Sequence, residues 1–235
     1  MKLQIFKKRW LPALTVLLPL LALAVSAQID IDPINKQWWQ EYKTLESSTV
    51  LLHNSKNVVP LKDLETLEIA SVNIGSAYAA EFDSLARKYA GIKTFTVVNS
   101  RHQPVIDTLN AGLKFYNTIL LQVTDATLND VPVQRFISEI QREKQLILVV
   151  YGNPNSLQSL NNTGCPVIWT PRNTPAASAF IAQSIFGGIG LRARLPESVS
   201  QSFKKGDGYT SKVSRLTYSV PEDVGIKSSD FEAPI

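Results

Sequence analysis

The sequence predicts an α/β protein, a mostly parallel sheet with helices on both faces in a three-layer sandwich. Three observations predict it. Short apolar runs alternate along the chain with amphipathic segments of helical spacing. The run QLILVVY at residues 145–151 is apolar almost throughout, as a strand covered on both faces must be. The composition, 44% apolar and 19% charged over 235 residues, is that of a globular chain.

Residues 1–27 stand apart from this pattern and read as a signal peptide. Lys2, Lys7, Lys8 and Arg9 make a basic start, residues 11–25 are uncharged and apolar, and Val25-Ser26-Ala27 offers small residues for cleavage. The apolar run is shorter than the roughly 20 residues of a spanning helix, and no cysteine follows it for lipid attachment. A mature chain starting at Gln28 and exported to the periplasm or the extracellular space is expected. It would meet a membrane only through the signal peptide, before cleavage.

The remaining elements follow in order. Residues 28–47 are expected as an N-terminal helix and linker, with Trp38, Tyr42 and Leu45 on one helical face. Residues 67–74 read as a strand, and residues 77–89 as a helix with Phe82, Leu85 and Tyr89 at spacings of three and four. A strand at 92–98, rich in threonine and β-branched residues, precedes a helix at 105–115. A strand at 118–123 precedes a helix at 133–141, which turns Phe136, Ile137 and Ile140 inward. After the central strand at 145–151 come a short helix at 154–160, a strand at 167–170 and a small-residue, apolar helix at 175–186. The chain becomes polar from Lys204, and residues 211–235 read as an extended tail or linker with little core of its own.

Several function classes are disfavoured at this level. The formal charge of +4 includes the four basic residues of the signal segment, so the rest is near neutral and gives no support for a nucleic-acid partner. Cys165 is the single cysteine, so no intramolecular disulfide forms, and with two histidines there is no zinc-type cluster. Cys165 reads as a small apolar residue opening a buried strand. Gly188-x-Gly190-x-x-Ala193 superficially offers a nucleotide fingerprint. That motif must follow a strand and open a helix so that backbone N–H groups meet the phosphates. Here it follows a helix, so no cofactor is expected. Gly187 instead sits where a helix ends on a left-handed residue.

Three motifs carry a resemblance. Residues 48–54, STVLLHN, continue to Val58-Val59-Pro60-Leu61; residues 149–154, VVYGNP, end an apolar strand; and residues 182–188, AQSIFGG, precede Arg194-Leu195-Pro196 and Phe203, Gly206, Asp207 and Gly208. In order and spacing they resemble the C-terminal α/β sandwich domain of glycoside hydrolase family 3, over residues 48–210. His53 stands where that family usually has lysine. Residues 216–226, LTYSVPEDVGI, look like the junction at which some secreted bacterial β-N-acetylhexosaminidase-like members pass into a β-lactamase-like domain. No Ser-x-x-Lys follows Gly225.

The resemblance places the family's nucleophilic aspartate on a separate (β/α)₈ barrel, a fold of about 250 residues. Only residues 28–46 precede the sandwich motifs after the signal segment, so no residue here is assigned that role. The resemblance therefore implies an accessory or remnant domain, non-catalytic alone, with a separately encoded glycosidase barrel as partner and a carbohydrate as ligand. The alternative is a stand-alone hydrolase or periplasmic ligand-binding module using polar residues at the sheet edge.

In an open α/β sheet ligands gather beyond the carboxyl ends of the strands. That edge is expected to carry Ser76, Asn99, Arg101, His102, Asp125, Asn153, Arg172 and Asn173. The substrate-binding candidates are His102, Asp125, Asn153 and Arg172. Asp125 and His102 would form an acid/base pair and Arg172 would hold a sugar hydroxyl or carboxylate. The competing reading makes them helix caps and loop polarity. His53 is expected as a packing or capping histidine. Trp38 and Trp39 are expected as an exposed apolar patch at a former domain junction.

Overall fold

The computed structural model describes residues 31–98 and 100–230. The signal segment and Asn99 lie outside them. Six strands form one sheet: β1 Val50–Leu52, β2 Ile69–Ile74, β3 Ile92–Val97, β4 Thr118–Thr124, β5 Gln145–Tyr151 and β6 Val167–Thr170. Their order is β1-β6-β5-β4-β2-β3. Only β1 is antiparallel, pairing Leu51 with Ile168. The other pairings are parallel. Among the described residues six α-helices accompany them: α1 Ile31–Ser48, α2 Ala79–Ala86, α3 Gln103–Gly112, α4 Asp125–Leu128, α5 Val131–Glu143 and α6 Pro175–Phe186.

The three layers arise from strand alternation, since successive side chains point to opposite faces. Leu146, Leu148 and Val150 of β5 join the core beneath α3 and α5, with Phe136, Ile140 and Phe203. Ile147, Val149 and Tyr151 face the other way, into the core beneath α1, α2 and α6, with Leu45, Phe82 and Phe180. This double burial is why β5 is apolar along nearly its whole length. Helix α6 is buried from Ala176 to Phe186, because it packs against α1 and α2 and is crossed by the tail.

The expected alternation is present, with local differences. Strand β1 was visible only as a motif; three residues are too few to show alternation. Residues 154–160 form a 3₁₀ rather than an α-helix. Thr124 closes β4 and caps α4 with a reciprocal Thr124–Thr127 capping box. Helix α2 stops at Ala86. Cys165 lies just before β6, is buried, and burial pushes its thiol up to about 12, so it is an inert core residue.

The tail, described as far as Asp230, includes 3₁₀ turns at Pro221–Val224 and Ser228–Asp230 and is bound to the rest of the fold. Arg215 Nη1 donates to the carbonyls of Leu61 (2.7 Å) and Phe186 (2.6 Å). The Thr217 hydroxyl donates to the Gly188 carbonyl. Further along, Asp223 accepts from Trp39 Nε1 (2.5 Å) and Ser228 from Asn35 (2.8 Å), which joins the tail to α1. Gln183 holds the middle of this strap. Its Oε1 accepts the Tyr218 N–H (2.6 Å), and its Nε2 donates to the Tyr218 carbonyl (2.9 Å) and to the Tyr42 hydroxyl. A side-chain amide from the buried helix thus pairs with one backbone residue as a neighbouring strand would.

Two further expectations meet the structure here. Gly187 is left-handed, φ 82°, and caps α6 through bonds to the Gln183 and Ser184 carbonyls. The glycines after it admit the strap's backbone: a Cβ on Gly190 would lie 2.9 Å from the Ser211 carbonyl. Trp38 and Trp39, by contrast, do not form an open patch. Trp38 stacks on Tyr42 at 4.5 Å, and Tyr42 in turn meets Phe180 edge-on. Trp39 is tied to the strap through Asp223. Trp38 packs on the core beneath α6 and Trp39 holds the tail, so replacing both would cost stability rather than leave the fold intact.

Candidate functional site at the carboxyl edge of the sheet

The parallel strands deliver their following loops to one edge, and the expected residues fall there into three separate places. The first lies where β4 and β5 end. The Asp125 carboxylate accepts the N–H of Ala126 (2.8 Å) and of Asn153 (3.0 Å). It fills the space above Gly152, whose φ of 112° and missing Cβ allow the approach; a Cβ there would lie 2.7 Å from the carboxylate carbon. Asn153 caps the 3₁₀ helix by accepting the Asn155 N–H (2.9 Å). Asp125 and Asn153 are therefore brought together, with the carboxylate engaged by backbone donors.

The second place lies above α2 and α6. Buried Asn73 folds the loop after β2 by bonding the Ser76 carbonyl and N–H, each at 2.9 Å. The Ser76 hydroxyl lies 3.2 Å from Asn173 Oδ1 in the loop after β6. Next to Asn173, Thr174 caps α6 while its hydroxyl donates to Glu41 of α1 (2.6 Å). Arg172 stands exposed beside this cluster. Glu41 and Asn73 escaped the sequence reading, because nothing local distinguishes them from other helix or strand polar residues.

The third place is the outer edge at β3. His102 precedes α3, is exposed, and borders a groove of about 550 Å³ lined by Phe95, Val97, Val105 and Thr108. Arg101 pairs with Asp130 at 3.0 Å, and Ser100 reaches the same carboxylate at 2.6 Å, so this loop is pinned to the start of α5. The Asp125 oxygens are taken by the Ala126 and Asn153 amides, not by His102. The acid/base pairing expected from sequence is not formed; strand order explains why, since β2 lies between β4 and β3. His53 is a packing residue, stacked on Phe203 at 4.8 Å. Among the described residues no cluster of His, Cys, Asp and Glu is placed to hold a metal ion.

Beneath this edge a line of hydrogen bonds crosses the apolar layer under α2 and α6. Ser178 donates to Tyr151 (3.3 Å), Tyr151 to Gln122 Oε1 (3.4 Å), Gln122 Nε2 to Ser71 (3.2 Å), and Ser71 to Asp83 (2.6 Å). Every donor points towards the Asp83 carboxylate. Burial raises the Asp83 pKa above its ordinary 3.8, against the lowering effects of the Ser71 bond and of Arg87. A raised folded-state pKa stabilises the fold below the unfolded value, and the gain is lost as pH rises through the folded value. Asp83→Asn, which keeps an acceptor for Ser71 without the charge, is therefore expected to melt higher than the parent at pH 7. That advantage should shrink as pH falls towards 4; melting curves of the two proteins at both pH values check it.

No family profile matches the sequence, and no curated protein matches it. Among solved structures, the chain is similar to part of a fungal multi-domain GH3 β-N-acetylglucosaminidase said to contain a GCN5-related glucosamine N-acetyltransferase region. The TM-score is 0.57 at 17% identity, over 70% of this chain and 19% of that one. It is also similar to part of a GH3 β-N-acetylglucosaminidase from Paenibacillus sp. str. FPU-7, with a TM-score of 0.50 at 14% identity, over 64% of this chain and 30% of the other. The chain spans less than a third of either protein, and at these identities what is shared is the fold.

Proposed function

We propose that this chain carries an exported accessory domain of the glycoside hydrolase family 3 type, which supports carbohydrate processing without supplying the nucleophile. The observation that carries the reading is the α/β fold held in common with part of two GH3 β-N-acetylglucosaminidases. The three ordered motifs over residues 48–210 agree with it. A retaining glycosidase needs one carboxylate free to attack, about 5 Å from an acid/base carboxyl. Asp125, the carboxylate at the mouth of the sheet, is committed to two backbone amides, which supports a structural role for it. Catalysis is assigned to a partner barrel, and carbohydrate is the ligand class.

The purified protein alone is expected to give no turnover of aryl β-N-acetylglucosaminides or β-glucosides, and to associate with a family 3 barrel. Turnover by the protein alone that disappears on Asp125→Asn would replace this reading with a stand-alone hydrolase.

A further inference from the structure

We propose that the groove between residues 57–63 and the strap at residues 210–215 binds an oxyanion, a phosphate or carboxylate group carried by a small ligand. The groove holds about 610 Å³, within the usual range for small-molecule sites. One wall presents Asn57, Lys62 and Asp63; the other presents Lys212, Ser214 and Arg215. Three cations thus face one carboxylate. The salt bridges among the described residues are Lys43–Glu46 and Arg101–Asp130, so none of the three cations is paired with a carboxylate among the described residues.

Arg215 is the organised member. Its Nη1 is fixed by the Leu61 and Phe186 carbonyls, and Nε and Nη2 have no protein partner among the described residues. The guanidinium is oriented before a ligand arrives, which lowers the entropy lost on binding, and its remaining planar donors suit two oxygens of one anion. Ser214 is placed by its own N–H, which donates to the Gly187 carbonyl at 2.8 Å; its hydroxyl has no protein partner among the described residues. Lys62 and Lys212 are exposed and approach from opposite walls.

The test is an amide-shift titration of the ¹⁵N-labelled protein at low ionic strength, with inorganic phosphate and glucuronate in separate arms. At least one should give saturable shifts centred on Lys62, Ser214 and Arg215, and the arm that saturates names the oxyanion. Lys62→Ala with Lys212→Ala should weaken that affinity about tenfold through loss of two charge-assisted contacts, at an unchanged melting temperature. Lys212→Glu alone, a reversal on an exposed strap position, should abolish saturation. The proposal is overturned by the absence of saturable shifts in both arms, by unchanged affinity in these variants, or by the same response to chloride at matched ionic strength.

Discussion

Gln183→Leu is expected to lower the unfolding free energy by about 3–5 kcal/mol and to open the strap at residues 211–230 to protease. Leucine suits the volume and the apolar helix, so the loss comes from hydrogen bonding rather than from a cavity. Gln183 is fully buried. Its amide answers both the N–H and the C=O of Tyr218 and also the Tyr42 hydroxyl. The Tyr89 hydroxyl oxygen lies 2.7 Å from the Leu216 carbonyl and 3.3 Å from Gln183 Oε1; its single hydrogen serves the shorter bond to Leu216, which survives. The substitution strands the two Tyr218 backbone groups and the Tyr42 hydroxyl, and each buried unsatisfied group costs about 1–3 kcal/mol. The strap escapes part of this cost by detaching, which lets water reach Tyr218. Trypsin should then cut at Lys212 and Arg215 faster than in the parent. An unchanged denaturation midpoint with an unchanged cleavage pattern would show that the strap does not rest on Gln183.

The same residue shows where the sequence is legible. The layers were readable because they are encoded by repetition: each buried strand and each helix face repeats its apolar choice several times, and the full spans of β5, β6 and α6 follow from run length alone. The strap is encoded by single residues. Gln183 is one polar amide in PAASAFIAQSIF, and its partner lies 35 positions later. The polar residue inside an apolar helix was the available signal, as were Ser71 and Gln122 inside β2 and β4; no local pattern names their partners. The candidate site divides similarly. Residue type foretold that Asn153 would cap a helix. The separation of His102 from Asp125 depends on β2 being inserted between β3 and β4, which is a property of strand order and not of spacing. Trp38 and Trp39 misled because burial on α1 is completed by residues 218–228, a segment whose composition reads as linker.

Gly187→Val is expected to cost about 3 kcal/mol or more, from two sources that can be measured apart. The first is backbone strain. Gly187 sits at φ 82° and ψ 17°, where a β-branched residue is a strong outlier. The second is crowding. A Cβ there would fall against the Ser214 hydroxyl and lie 3.1 Å from Pro60 Cβ. The Ser214 hydroxyl can turn aside, but the backbone on both sides is fixed: the Gly187 carbonyl accepts the N–H of Ser214 (2.8 Å) and of Arg215 (3.0 Å), and next to Pro60 the Leu61 N–H donates to the Ile185 carbonyl (2.8 Å). Gly225 supplies the comparison: its φ is 78°, and nothing lies within 4 Å of an added Cβ. Gly225→Ala should therefore report left-handed strain alone, about 1 kcal/mol. Gly187→Ala should exceed it by the crowding against Pro60 and Ser214, and Gly187→Val should exceed both. Chemical denaturation of the three variants orders the losses. Equal losses for the two alanine variants would show that the close approach of the strap adds nothing to the requirement for glycine. A Gly187→Val protein that melts like the parent but has lost binding of a nucleotide would return residues 188–193 to the cofactor reading that their place after a helix argues against.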